Sequence, residues 1–216
     1  MSDRRPENPR EYASPPCSLH ELGELERTDV MRWRKAERAR LIAERLAIPS
    51  RAHRDLSERI AHRLAEAIGD PAGLILSTYA PFRGEPGLTS LVANVVAHGG
   101  RHALPVVIER GQPLVFRLWA PGEPLEPGIW NIPQPPASAA AVVPDVIIAP
   151  IVGFDRDCYR LGYGGGFYDR TLASLPTRPR VFGVGYARAI LSTIYPLPHD
   201  VRMTSIVTED GVFERG

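Results

Sequence analysis

The sequence is short of several features that would narrow its class at once. It has two cysteines, Cys17 and Cys158. That is too few for a disulfide framework and fits a reducing compartment, with their pairing left open. It has almost no charge imbalance, with 26 Lys and Arg against 25 Asp and Glu. There is therefore no bulk electrostatic case for nucleic acid or an anionic membrane. The longest apolar runs, such as Val146 to Ile151, are far too short to span a bilayer. The first residues are polar and proline-rich, without the apolar centre of a signal peptide. The expectation is a cytoplasmic protein with no nucleic-acid or membrane partner. No internal repeat is visible.

What is present points to one folded unit. A chain of 216 residues suits a single domain, and 44% apolar residues can build a sizeable core. Residues 1–28 carry Arg, Pro, Glu and Ser without apolar period and read as a loosely ordered arm, leaving 29–216 as the domain. Cys17, His20 and Glu21 are three metal-ligand types in that arm. With no partner cluster beside them, a solvated tail is the preferred reading.

Thr28 is a fair N-cap for a helix running to about Leu46, and Ser50 can cap a second one after Pro49. In the second, Leu56, Ile60, Leu64 and Ile68 recur at i, i+4 as one buried stripe. In the first, Arg34, Arg38 and Arg45 lie close to one face, with Lys35 and Arg40 nearby. That face is either solvated or a grip on phosphate.

After Pro71 the pattern alternates. Strands are expected at 74–79, 101–108, 113–119, 142–151, 181–186 and 205–208, and helices at 88–97 and 167–175. Residues 120–141, rich in Pro, Gly and Ala, read as a connecting loop. The nearly continuous apolar run at 142–151 suits a strand covered on both faces. The alternation implies an α/β fold with a largely parallel sheet and helices on both sides.

The stretch 153–172, GFDRDCYRLGYGGGFYDRTL, carries most of the chemistry. Gly162, Gly164, Gly165 and Gly166 precede a helix whose first N–H groups are unpaired, which together make an anion cradle. Arg160 can give bidentate bonds to phosphate. Asp169 either complements the helix dipole or holds Mg²⁺ beside substrate phosphates. No Gly-Lys-Ser/Thr follows, so this is not a Walker loop. Phe167 stands where a dinucleotide fingerprint needs its third glycine, which disfavours a dehydrogenase. Cys158 reads as a small loop residue, with no histidine near it in sequence to activate it.

The string RLGYGGGFYDR, preceded by Gly153-Phe154-Asp155, resembles the signature loop of 5-formyltetrahydrofolate cyclo-ligases. The basic first helix, Tyr79-Ala80-Pro81 to Glu85, Trp130-Asn131-Ile132-Pro133, Pro144-Asp145-Val146 and His199-Asp200 to Val207-Thr208-Glu209 match in the same order, over roughly 30–210. The resemblance implies a Rossmann-like three-layer sandwich. It also implies Mg–ATP-driven conversion of 5-formyltetrahydrofolate to 5,10-methenyltetrahydrofolate, with ADP and phosphate released. ATP contacts would come from Arg34, Lys35, Arg38, Arg160, Leu161, Gly162, Tyr163, Gly164, Gly165, Gly166, Phe167 and Tyr168. The reduced folate would touch Ala80, Glu85, Trp130 and the stretch from Tyr163 to Phe167. Arg160 and Tyr168 fall at catalytic positions, and Asp169 and Asp200 at Mg²⁺ positions. The expected assembly is a monomer or weak homodimer.

Four places depart from the family pattern: Arg156-Asp157-Cys158-Tyr159 where a glycine is usual, Pro86-Gly87-Leu88 after Glu85, Val106 in place of Arg, and Ala189 in place of Gln. They are expected mostly around the folate side. The alternative function is therefore a divergent paralogue with another substrate or no turnover. A binding module of that kind would keep the loop but reshape the folate pocket. The enzyme reading predicts that Glu85 and Trp130 converge on the glycine loop's cleft.

Overall fold

The computed structural model describes residues 24–214. Cys17, His20 and Glu21 lie outside them. Two long helices come first, α1 (Glu24–Leu46) and α2 (Ser50–Ile68). Thr28 is thus inside α1, which starts earlier than the cap signal implied. Ser50 is the first helical residue of α2, and Pro49 takes the N-cap position. The remaining elements are β1 (Ile75–Ser77), α3 (Thr89–Ala97), β2 (Arg101–Val106), β3 (Val115–Leu118), β4 (Glu126–Pro127), β5 (Pro133–Gln134), β6 (Ala141–Val142), β7 (Val146–Pro150), β8 (Gly153–Phe154), β9 (Arg160–Leu161), α4 (Phe167–Ser174), β10 (Arg180–Val184), β11 (Ser205–Val207) and β12 (Val212–Glu214).

Eight strands form one sheet in the order β12-β11-β10-β7-β1-β2-β3-β6. The five central strands, β11 to β2, run parallel, and antiparallel strands close both edges. Period-two alternation sends neighbouring residues of β7 to opposite faces. Val146 and Ile148 join Ile60 and Leu64 of α2 and Leu91 and Val95 of α3 in one core. Ile147 and Ala149 join Phe154, Cys158 and Met203 in the other, with Tyr168 and Leu172 of α4 packed against it. This gives three layers, with helices on both faces of a mostly parallel sheet. It also explains why 146–150 reads as an unbroken apolar run. α1 lies off the sheet. Its Leu41 packs on Val152, Leu161 and Ile194, and its Val30 and Trp33 on Tyr195 and Leu197.

Two loop expectations need correction. The strand expected over 142–151 is two strands: β6 at the sheet edge beside β3, and β7 at its centre. Pro144 between them has no N–H for a ladder, so the chain breaks there. Asp145 then receives the Ile75 N–H on Oδ2 at 2.8 Å. The loop expected over 120–141 contains a small hairpin, β4 with β5, joined by a turn in which Trp130 and Asn131 both have φ near +58°. The glycine-rich stretch likewise begins with a hairpin, β8 with β9, before the loop proper.

Candidate functional site

From β1 the chain crosses to β2 on one side, and from β7 to β10 on the other. The connections after β1 and β7 therefore diverge and leave a crevice at their carboxyl ends, where open α/β sheets bind ligands. A cleft of about 590 Å³ lies here. Its lining includes Tyr79, Ala80 and Glu85 after β1, Pro150 at the end of β7, Gly162 to Asp169, Trp130 from the hairpin, and Arg34, Arg38 and Asp200. Glu85 and Trp130 thus converge on the glycine loop's cleft.

Part of the lining is cationic. Arg38 donates through Nε to the Gly162 carbonyl at 2.6 Å. Within the described residues its two terminal nitrogens make no hydrogen bond and remain available to an anion. Burial, and next the Arg34 cation, hold its pKa below the ordinary arginine value. Arg160 is buried and donates to Asp169 Oδ2 at 2.7 Å, while its Nε has no partner among the described residues. A Cβ at Gly162 would stand 2.5 Å from Arg160 Nη1, so only glycine lets that guanidinium lie under the loop. Gly164, at φ +97°, turns the backbone over the Arg38 guanidinium.

Arg34 lies differently from Arg38. It is 4% exposed and is consumed by the Ile194 and Tyr195 carbonyls, at 2.9 and 2.8 Å, and by Asp200. It fastens the loop 194–200 to α1. Lys35 is exposed and stands outside the cleft. The Leu161 side chain is buried in the core, so only its backbone faces the loop. The face of α1 is therefore neither uniformly solvated nor uniformly ligand-facing.

Another part of the lining is apolar, with Leu104, Pro105, Leu114, Ile129, Ile132, Phe167 and Tyr168. Trp130 is 53% exposed and meets Phe167 edge-to-face at 5.8 Å, a wall position rather than a core one. Both Phe167 and Tyr168 line the cleft. The Tyr168 hydroxyl is buried without a partner among the described residues, and the Arg160 guanidinium lies 5.2 Å from its ring centre. Burial pushes the Tyr168 phenol well above its ordinary value. Glu85 is 3% exposed, and its Oε2 accepts the Phe82 N–H at 2.9 Å. Desolvation raises its carboxyl to about 7, against the opposing pull of Phe82 N–H, Arg45 and Tyr163.

Besides Glu85, two carboxylates reach the cleft, and these suit a hard divalent cation. Asp169 uses one oxygen for Arg160 and the other for the Val201 N–H at 3.2 Å, which leaves lone pairs free. Asp200 is more committed, taking Arg34 at 2.5 Å and capping its own turn through Leu197 N–H at 2.6 Å. Mg²⁺ asks for only one or two carboxylates beside phosphates and water, so this donor set fits it, with Asp169 the better placed. Asp155 serves structure alone: it accepts N–H bonds from Asp157, Tyr159 and Ile194.

The departures from the family pattern fall away from this site. Val106 and Ala189 are buried, and neither they, residues 86–88 nor residues 156–159 line the cleft. Cys158 has φ +61°, the left-handed geometry for which glycine is the usual residue, and its side chain is buried. Sequence reasoning missed Arg27, Met31 and His199 in the lining. Arg27 and Met31 stand seven and three residues before Arg34 on the same face; Met31 already lay in the expected helix, and starting α1 earlier would have added Arg27.

The 5-formyltetrahydrofolate cyclo-ligase family model matches residues 30–209. The chain is 34% identical over 168 residues to the 5-formyltetrahydrofolate cyclo-ligase of Mycolicibacterium smegmatis, covering 72% of this chain and 87% of that protein. It is 32% identical over 173 residues to that of Escherichia coli K12, covering 69% and 92%. The solved structure of Aquifex aeolicus 5,10-methenyltetrahydrofolate synthetase superposes with a TM-score of 0.72 at 26% identity, covering 84% of this chain and 92% of that one.

Proposed function

The chain belongs to the 5-formyltetrahydrofolate cyclo-ligase family, a family of ligase enzymes, and from that premise we propose that it uses Mg–ATP to convert 5-formyltetrahydrofolate to 5,10-methenyltetrahydrofolate, ADP and phosphate. The observation that carries this is one cleft lined by two unlike sets of groups. Arginines and the glycine loop share it with apolar and aromatic side chains and a buried carboxyl, Glu85.

The formyl oxygen is a poor leaving group. It attacks the γ-phosphorus, the bond to the β-phosphate oxygen breaks, and ADP departs. The neighbouring amine nitrogen then closes on the formyl carbon, and phosphate leaves with the former formyl oxygen. Such a transfer needs alignment and charge neutralisation more than a covalent protein group. Arg38, Arg160 and the loop amides supply the donors. Asp169, with Asp200 beside it, would hold Mg²⁺, which when bound would supply charge neutralisation for the phosphates. Glu85 accepts N–H donors of the pterin, and the charge-assisted bonds favour its ionised form. Trp130, Phe167 and Tyr168 provide flat walls. The unpartnered Tyr168 O–H and Arg160 Nε–H are donors that an oxygen of the bound substrate satisfies. Since none of the four departures lines the cleft, they give no support to a different substrate.

Product stoichiometry tests the proposal. ADP release should be silent without 5-formyltetrahydrofolate and should match methenyl product one for one in its presence. ATP hydrolysis at the same rate with and without the folate would contradict it.

A further inference from the structure

Arg45 does not line the cleft and is 5% exposed. Yet all three of its nitrogens are engaged, each by a different part of the site. Nε donates to the Arg83 carbonyl at 2.9 Å, in the turn that carries Glu85. Nη1 donates to the Ile151 carbonyl at 3.1 Å, just beyond β7. Nη2 donates to the Tyr163 hydroxyl, in the glycine loop. A guanidinium holds its donors in one rigid plane, so three segments that diverge from the sheet are set against a single template.

Tyr163 passes the link on. Its hydroxyl donates to the Phe82 carbonyl at 3.4 Å, and the N–H of the same residue holds the Glu85 carboxylate. Behind it, the Glu85 turn is pinned to the scaffold. His53 meets the Glu85 carbonyl at 3.0 Å, Tyr186 donates to the Gly84 carbonyl at 3.2 Å, and Ser57 accepts the Gly87 N–H at 3.1 Å. The glycine loop is the less anchored side of this link, with Tyr163, Gly164 and Gly165 exposed.

We infer that Arg45, acting through Tyr163, is a positioning residue that ties the setting of the glycine loop to that of the Glu85 turn. A polyphosphate held in the loop then tightens the hold on a ring bound at Glu85, and the ring tightens the polyphosphate equally, because coupling between sites is reciprocal. The inference deepens the cyclo-ligase reading and rests on it for the identity of the two ligands. Removing the fork leaves the buried Ile151 carbonyl without its donor, exposes the Arg83 carbonyl and Tyr163 hydroxyl to water alone, and frees the two segments to set independently.

Two measurements decide it. The first is amide hydrogen exchange on ligand-free protein. Tyr163→Phe, which removes one oxygen atom, should speed exchange across both 79–87 and 162–166. Faster exchange confined to 162–166 would overturn the link. The second is the dissociation constant of 5-formyltetrahydrofolate with and without a non-hydrolysable ATP analogue and Mg²⁺. In wild type the analogue should tighten the folate about 5–150-fold, the usual span of such coupling. The factor should fall towards 1 in Arg45→Gln and in Tyr163→Phe, fall no further in the double variant, and return only partly in Arg45→Lys. A wild-type factor of 1, or an undiminished factor in the variants, would overturn the inference. Wild-type protein that binds neither ligand would instead sink the cyclo-ligase reading, and the ligand-free exchange result would still decide the link.

Discussion

Burial raises the Glu85 carboxyl from 4.5 to about 7, so it binds its proton more tightly in the folded chain than in the unfolded one. Below pH 4.5 both states keep the proton and no stability is lost. Between 4.5 and 7 the unfolded chain releases it first, and stability falls as pH rises. Above 7 the loss levels off, on the order of 3 kcal/mol. Glu85→Gln keeps an acceptor for Phe82 N–H without the charge. Its unfolding free energy should match wild type near pH 4.5 and exceed it by that amount at pH 8, as urea titrations at both pH values would show. Curves that stay parallel with pH would remove the buried charge from the account. Tyr168→Phe tests the other unmatched group. Its hydroxyl bonds nothing within the described protein, so Tm should hold while kcat drops about 10²-fold, as for loss of one positioned donor. A normal kcat would exclude a donor role. These two residues were legible as site candidates from their motifs. Their states were not, because Glu85's raised pKa comes from burial by the assembled fold, opposed by Arg45 and Tyr163, which are distant in sequence.

Among the elements, the glycine loop and α2 offer a contrast between binding and stability. Gly164 sits at φ +97°, and an added Cβ would come 3.4 Å from the Arg38 guanidinium carbon. Gly164→Ala should cost about 1–2 kcal/mol of local strain and move the loop off Arg38, raising KM for ATP at least tenfold with little change in Tm. Leu64 is fully buried between α2 and the sheet. Leu64→Ala should cost about 2–5 kcal/mol of stability, read by urea unfolding, and leave both KM values unchanged at a temperature where it is folded. The α2 stripe was plain from its spacing, since Ile60, Leu64 and Ile68 are all buried. The hairpin that carries Trp130 was not. Its strands are two residues each, and its turn takes positive φ at Trp130 and Asn131 rather than at its one glycine, Gly128, so no Asn-Gly signal marks it. The split of 142–151 was signalled by Pro144 but masked by the apolar residues on either side.

At the scale of the whole molecule, the strand order places the site where the chain departs to β2 on one side and to β10 on the other. The parallel core was readable from the alternation of strands and helices. The antiparallel edges, and the placing of α1 across the loops rather than on the sheet, were not, because both depend on contacts far apart in sequence. Those contacts turn a basic helix face into three separate functions. Arg38 faces the ligand cleft, Arg34 fastens the loop with Asp200, and Arg45 joins the two walls from behind.

The most direct test of the central claim is a spectrophotometric turnover assay. Purified protein is mixed with 5-formyltetrahydrofolate, ATP and Mg²⁺, and the near-ultraviolet absorbance of the methenyl product is followed, with Asp169→Ala alongside. The account predicts a rise that requires ATP and Mg²⁺ and is lost in Asp169→Ala. No rise from wild-type protein that still binds ATP would contradict the substrate assignment.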